Sequence, residues 1–241
     1  MTHILALETS SAWCSVALST GDSAPLHRHQ RVSAGASQLL LPWVDELLSE
    51  AHTEIASLDA LAVGVGPGAF TGVRLGVAAA QGLAISQNLP VIPVASLDAI
   101  AAMLTQSEAF IHIKPEYFMV AIDARMDEVY WAHYQHSPTG LPKRLGDITL
   151  SAPEAIPFDH IHFVAGSAIA EFGDRLFTQA KSSFSAECLD AEIGVSALGV
   201  LICAQLLWKA GLQQNVRTLE PLYVRNKVAF TADERKQAGI S

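Results

Sequence analysis

The chain is poor in the parts from which secreted scaffolds and self-sufficient catalysts are built. Its 241 residues hold three cysteines, Cys14, Cys188 and Cys203, odd in number, widely spaced and without a Cys-x-x-Cys pair. Such a set makes no disulfide framework, and reduced thiols in a cytoplasmic protein are the expectation. Nine histidines invite a metal, but the close pairs are His27/His29, His133/His136 and His160/His162, none with HExxH or HxxxH spacing. On the strand expected at His133 an i, i+3 pair points to opposite faces, so no metal site is expected. A Gly-x-Ser-x-Gly elbow is missing, and no cysteine has a histidine near it in sequence, which leaves acyl transfer without a nucleophile. The longest apolar run, 197–208, is interrupted at Gln205 and is too short to span a bilayer. No basic stretch precedes the first apolar run, which breaks at Glu8, so no secretory signal is expected. Only 16% of residues are charged and the formal net charge is −9. That balance argues against the chain gripping RNA or an anionic membrane by itself.

Half of the residues are hydrophobic. The chain is therefore globular, with a sizeable core in one large domain or two small ones. The stretch that organises it is 64–85. Residues 61–65 (Leu-Ala-Val-Gly-Val) are short, apolar and partly β-branched, and read as a buried strand. Gly66-Pro67-Gly68 breaks that strand, and Thr71 is the expected N-cap of the helix that follows. In this helix Val73, Val77, Ala80 and Ala84 share one face, while Leu75, Ala79, Gly82 and Leu83 cover much of another. Arg74 and Gln81 are its only strongly polar side chains. A helix apolar nearly all round is buried nearly all round. Its second cover is either its own chain or a partner protein, and both readings are open. From Ser37 a second helix shows Leu40, Leu41, Val44, Leu47 and Leu48 at helical spacing, with Pro42 in its first turn or kinking it. Leu39 and Trp43 add apolar area beyond one stripe. The candidate partner face accordingly comprises Leu40, Val44, Leu47 and Leu48 with Val73, Gly76, Val77, Ala80, Leu83 and Ala84.

The glycine turn has a second reading as a phosphate cradle, because backbone amides and a helix N-terminus attract anions. No Lys-Ser or Lys-Thr pair follows it, and 66–71 fails the dinucleotide pattern at its last glycine. A turn that only redirects the chain is the competing reading. Glu8, Thr9, Gly66, Gly68, Thr71, Gly72 and Asp123 are the candidate nucleotide residues, for weakly bound ATP or ADP with magnesium. Carboxylates at Glu8, Asp123 and Asp127 suit a magnesium ion or a base, although hairpin acids that satisfy turn amides are commoner. No residue is assigned a catalytic role.

The rest of the chain repeats a theme. Residues 4–7 form a buried strand ending in Glu8-Thr9-Ser10-Ser11, and 14–18 return; a third strand lies within 27–32. Residues 90–94 are extended, and Ser96 caps a helix over 97–104 with Asp98 in its first turn. The character changes over 105–116, which divides the chain into 1–110 and 111–241. Then 118–122 form a strand, 123–127 a turn and 128–134 the returning strand, echoing the first hairpin. Strands follow near 144–150 and 161–165, Gly166-Ser167-Ala168 opens a helix, and 195–208 form an apolar helix closed by Gly211. Residues 220–226 are extended or irregular, and the polar residues beyond Ala229 are expected to fray.

Several segments together resemble one family. Ile4-Leu5-Ala6-Leu7-Glu8-Thr9-Ser10 with Cys14-Ser15-Val16-Ala17-Leu18, Gly66-Pro67-Gly68-Ala69-Phe70-Thr71-Gly72-Val73-Arg74, Ala121-Ile122-Asp123-Ala124-Arg125-Met126-Asp127-Glu128-Val129-Tyr130 and Glu220-Pro221-Leu222-Tyr223-Val224-Arg225-Asn226 occur in the order found in the TsaB family. These are bacterial tRNA threonylcarbamoyladenosine biosynthesis proteins. The resemblance implies an α/β, actin-like (ASKHA, ribonuclease H-like) fold of two related lobes. It also implies a non-catalytic companion of TsaD, the subunit that threonylcarbamoylates adenosine 37 in tRNAs reading codons that begin with adenine. TsaD carries the metal-binding HxxxH that this chain lacks. In the family the partner surface is a helix pair of the first lobe, which falls here on 40–48 and 73–85, and homodimers form through it when TsaD is absent. TsaE joins the larger complex, and tRNA is met only through that complex. The family often has aspartate where this chain has Glu8, and many members have a histidine where it has Ala36. A nucleotide-dependent enzyme of the sugar-kinase type, using Glu8 or Asp123 with the Gly66 turn, is the alternative. An autonomous glycopeptidase would need a metal site or nucleophile not found in the sequence.

Overall fold

The computed structural model describes residues 2–21, 23–32 and 35–224. Its first sheet contains β1 (His3–Glu8), β2 (Trp13–Thr20), β3 (Leu26–Arg31), β4 (Ala60–Gly64) and β5 (Val91–Val94), in the order β3-β2-β1-β4-β5. β1, β2 and β3 pair antiparallel, while β4 and β5 run parallel to β1. The second sheet contains β6 (Tyr117–Asp123), β7 (Val129–Gln135), β8 (Lys143–Ser151), β9 (Phe163–Ala165) and β10 (Leu189–Asp190). Its order, β10-β9-β6-β7-β8, is the same arrangement run a second time: a three-strand meander with two parallel strands added beside its first strand. This duplicated α/β topology is the two-lobed actin-like fold.

Strand alternation decides which helices go where. On β1, Leu5 and Leu7 face a cluster with α1 (Ala36–Glu50) and α2 (Phe70–Gln87), through Leu40, Val44, Leu47, Val73, Val77 and Ala80. Ile4 and Ala6 face the other way, into a larger cluster with α3 (Ser96–Leu104) and α6 (Ala197–Lys209). That cluster also takes Phe118 and Val120 from β6, so it is one core shared by both sheets. Met119 and Ala121 turn to a third cluster, outside the second sheet, with α5 (Ala168–Phe172). The short α4 (Glu108–Ile113) links the halves. α6 comes from the second half of the chain but packs on β1, β2, β4 and β5 of the first sheet. It crosses α3 so closely that a Cβ on Gly199 would collide with the carbonyl oxygen of Ala99.

Local expectations fare unevenly. α2 begins at Phe70 with Ala69 as its N-cap, and Thr71 is exposed inside the first turn rather than capping it. The chain is steered into the helix by backbone instead: Ala69 N–H donates to Ser10 O at 2.6 Å. Ser96 is likewise the first helical residue of α3 after Ala95, and its hydroxyl goes to Ser10 Oγ at 2.9 Å. Pro42 lies well within α1, beyond its first turn. Ser196 caps α6, accepting from Gly199 N–H, and Gly211 follows that helix with φ +71°. Residues 220–224 are irregular; 225–226 and the segment beyond Ala229 lie outside the described residues. Among the described residues, no helix is long and apolar enough to cross a membrane.

Candidate functional site

The residues expected to face a partner lie mostly inside the single chain. Leu40, Val44, Leu47 and Leu48 of α1 and Val73, Gly76, Val77, Ala80 and Ala84 of α2 are all buried. Leu83 is half-buried. The regular apolar stripe of each helix is therefore spent on the first sheet, as the hydrophobic effect demands of the most apolar face available. What remains outside is a different set: Leu41 at 51% exposure, Phe70 at 42% and Ile85 at 63%, with the small residues Ala78 and Gly82 exposed between them on α2. Nothing lies within 4 Å of a Cβ built on Gly82. The excess apolar surface read from the sequence exists, one helical step away from the expected stripe.

The candidate nucleotide residues divide into two groups. Glu8 is fully buried; its Oε1 accepts from Ser10 N–H, and its Oε2 has no hydrogen-bond partner. Burial raises its carboxyl above the ordinary value, with the Ser10 and Thr9 hydrogen bonds opposing. Thr9 is buried and donates from Oγ1 to Gly72 O at 2.7 Å. The glycines here serve close packing. A Cβ on Gly64 would collide with Glu8 Oε2, one on Gly68 with Ser10 O, and one on Gly72 with Thr9 O. Gly66, at φ +92°, uses a conformation that favours glycine. The β1–β2 turn and the start of α2 thus fill each other's space. Thr71 stands apart, exposed on the helix.

Asp123 belongs to the other lobe, at the end of β6, and is occupied locally. Its Oδ1 accepts from Arg125 N–H at 2.7 Å, its Oδ2 pairs with Arg125 at 2.9 Å, and its own N–H donates to Ser167 Oγ at 3.1 Å. The tip that follows is unusual. Arg125, Met126 and Asp127 all have positive φ, at 62°, 56° and 60°, without a glycine among them. Each such residue costs about 1 kcal/mol or more. The turn is held from outside by Arg175, whose NH1 and NH2 grip Asp127 at 2.7 and 2.8 Å while its Nε reaches Glu154. This arginine pulls the carboxyls of both acids below their ordinary values. Sequence reasoning missed this clamp, since Arg175 lies far along the chain and nothing in a lone arginine marks its partner.

Two further arrangements escaped the sequence. Asp98, expected only as a first-turn acid, joins the lobes: it accepts from Tyr134 Oη at 2.8 Å and from Arg144 NH1 at 2.7 and 2.9 Å. The tail after α6 returns to the first lobe and runs along α2. Val216 and Leu219 enter its core, Leu222 N–H donates to Val65 O at 2.7 Å, and Gln81 Nε2 donates to Leu219 O at 2.9 Å. At its end Tyr223 meets Arg74, which donates from Nε to the phenol oxygen at 3.2 Å and stacks over Phe70 at 3.7 Å. The apolar Val216–Leu219 spacing was the available signal. Among the described residues, no group of three or more His, Cys, Asp or Glu side chains is placed to hold a metal ion.

Comparison with known proteins places this geometry. The family described as TsaD, tRNA N6-adenosine threonylcarbamoyltransferase, matches residues 30–230. The tRNA threonylcarbamoyladenosine biosynthesis protein TsaB of Escherichia coli K12 is 31% identical over 230 residues, which cover 95% of this chain and 96% of that one. Its namesake in Haemophilus influenzae is 43% identical over 130 residues, about half of each chain. Among solved structures, YeaZ from Pseudomonas aeruginosa superposes with a TM-score of 0.78 at 35% identity, over 92% of this chain and 100% of that one. A second Pseudomonas aeruginosa structure, described as similar to peptidase YeaZ, gives 0.81 at 33% identity, over 93% and 100%. By sequence along nearly its full length and by fold, the chain belongs to the TsaB family.

Proposed function

We propose that this chain acts in tRNA threonylcarbamoyladenosine biosynthesis as a subunit with no chemistry of its own. It pairs with a TsaD protein, which carries out the transfer to adenosine 37 in tRNAs reading codons that begin with adenine. The observation that carries this reading is the likeness, across 95% of the chain, to a protein named for that pathway. The interior of the first lobe supports it. Where a sugar-kinase-type enzyme would hold phosphate, Gly68 and Gly72 lie against the backbone of Ser10 and Thr9, and Glu8 is sealed behind Gly64. On this reading the chain needs no ATP, ADP or magnesium of its own, and any binding of them is weak.

The partner surface is the outer side of α1 and α2, centred on Leu41, Phe70, Ala78, Gly82, Leu83 and Ile85. Alone, the chain covers this surface with a second copy; in the cell, TsaD takes its place and TsaE joins the larger complex. tRNA is met only within that complex, in the cytoplasm. The deciding experiment is reconstitution of the tRNA modification with purified TsaD and TsaE and a supplied threonylcarbamoyl donor, with and without this chain. Modification that needs this chain, together with co-purification of TsaD, is the expected result. Equal modification without it refutes the reading. Turnover of ATP or cleavage of a glycoprotein by the isolated chain would refute it too.

A further inference from the structure

Arg74 stands out in a chain whose formal charge is −9. Arg125, Arg175 and Lys181 are exposed and each pair with a carboxylate of the chain. Arg31, Lys114, Lys143, Lys209 and Arg217 are exposed with no such pair among the described residues. What sets Arg74 apart is its aromatic bracing. It lies between two exposed aromatic rings, 3.7 Å over Phe70 and 5.9 Å over Tyr223. Among the described residues it has no carboxylate partner. Its Nε is taken by the Tyr223 phenol oxygen at 3.2 Å. That leaves the NH1/NH2 end of the guanidinium, the edge that grips a carboxylate with two parallel hydrogen bonds. Stacking fixes the plane of the group and strips part of its water, so little further ordering is needed on binding.

We propose that Arg74, braced by Phe70 and Tyr223, is the anchoring residue of the partner surface, and that it receives a carboxylate from the TsaD protein. This rests on the pairing proposed above. A single cation set among apolar residues suits one protein carboxylate better than a phosphate backbone, which needs several cations. Among the described residues the groove beside Arg74 is lined by Val77, Ala78, Gln81, Leu219, Pro221 and Tyr223 with the acidic Glu220, and Arg74 is the one cation of that set. An arginine held by aromatics at the centre of an apolar patch is also the usual composition of an interface hot spot. The tail segment 219–223 thereby becomes part of the surface, because it supplies the ring that holds Arg74 in place.

The test is calorimetric titration of TsaD from the same cell with the full-length chain and with Arg74→Ala, Arg74→Lys, Tyr223→Phe and the control Arg31→Ala, at two salt concentrations. Arg74→Ala weakens binding about 30-fold or more. Arg74→Lys loses at least tenfold although it keeps the charge, and Tyr223→Phe loses a few-fold. Binding by Arg74→Ala also becomes less sensitive to salt, a readout that a merely structural role would leave unmoved. Arg31→Ala binds as the native chain does. If the native chain binds and Arg74→Ala binds equally well, this inference falls while the pairing stands. If the native chain itself does not bind, the pairing falls. Loss of tRNA retention, of self-association or of melting temperature in Arg74→Ala, with unchanged TsaD affinity, gives Arg74 another occupant and overturns the proposal.

Discussion

Replacing Gly64 by alanine tests whether the first lobe is closed around Glu8. A Cβ at position 64 would overlap Glu8 Oε2 and stand 2.7 Å from Glu8 Cδ. Neither side yields easily, because Gly64 is in the fully buried β4 and Glu8 ends the equally buried β1. Overpacking of this kind costs about 1–3 kcal/mol. If Glu8 swings away, the buried Ser10 N–H loses its acceptor, a further cost of about 1–3 kcal/mol. Against this, alanine in a strand interior gains about 0.5–1 kcal/mol over glycine. The net is a loss of about 1–5 kcal/mol, and in a chain of this size each kilocalorie moves the midpoint by about 2–4 °C. Gly64→Ala should therefore melt about 2–20 °C early by scanning calorimetry. In a Glu8→Ala background the obstacle is gone and the new methyl fills vacated space, so the same change becomes neutral or slightly stabilising. A coupling of about 3 kcal/mol between the two sites is the expected cycle. Equal costs in both backgrounds would show that Glu8 does not occupy the space beside Gly64, and the closed-lobe reasoning would fail.

Burial raises the Glu8 carboxyl above its ordinary 4.5. The native state therefore favours the neutral acid, and its contribution is complete below the ordinary value and is lost as pH rises through the raised one. Urea unfolding should show Glu8→Gln gaining stability over the native chain as pH increases, and no widening gap would contradict this. Burial pushes the thiols of Cys14 and Cys203 up to about 11 and about 12, whereas Cys188 is only half-buried. With a disulfide reagent at pH 8, one thiol should react quickly and two only on unfolding. Burial beside Asp98 holds the Tyr134 phenol well above 10, so Tyr134→Phe should remove a late phenol from the ultraviolet titration and cost about 1 kcal/mol. Ile85→Glu should abolish TsaD binding with little change in melting temperature, while Val77→Glu should unfold the chain, because only the first position is exposed.

That last contrast shows what a sequence can and cannot carry. The periodicity of Val73, Val77, Ala80 and Ala84 marked α2 and its apolarity correctly, but a periodic stripe is what a helix offers its own sheet. The exposed residues Phe70, Ala78, Gly82 and Ile85 keep helical spacing too, but the sequence alone does not say which of the two apolar faces the sheet takes. Strands were legible because β1, β4 and β6 are continuous apolar runs between polar turns. The Thr71 cap failed because a hydroxyl near a helix start says nothing of the carbonyl at Ser10 that does the steering. For Glu8 the sequence left two readings open, a ligand-facing acid and a hairpin acid satisfying turn amides. Its Oε1 does take Ser10 N–H, but that Gly64 lies against its other oxygen shows only in the packing. Arg175 on Asp127 and Tyr223 on Arg74 join residues too distant in the chain for any local pattern to pair them.

The position of α6 has a consequence during synthesis. Ile4, Ala6, Ala17, Ala60 and Ala62 leave the ribosome early, yet the helix that shields this side of their sheet is completed only at Lys209. At ~5–20 residues per second, the roughly 100 residues after α3 keep that side waiting for about 5–20 s. A nascent chain halted near residue 110 would hold a finished sheet with one wet, adhesive flank, a natural client for chaperones. Release of the last third of the polypeptide, rather than of the first lobe, is the moment at which both halves become native together.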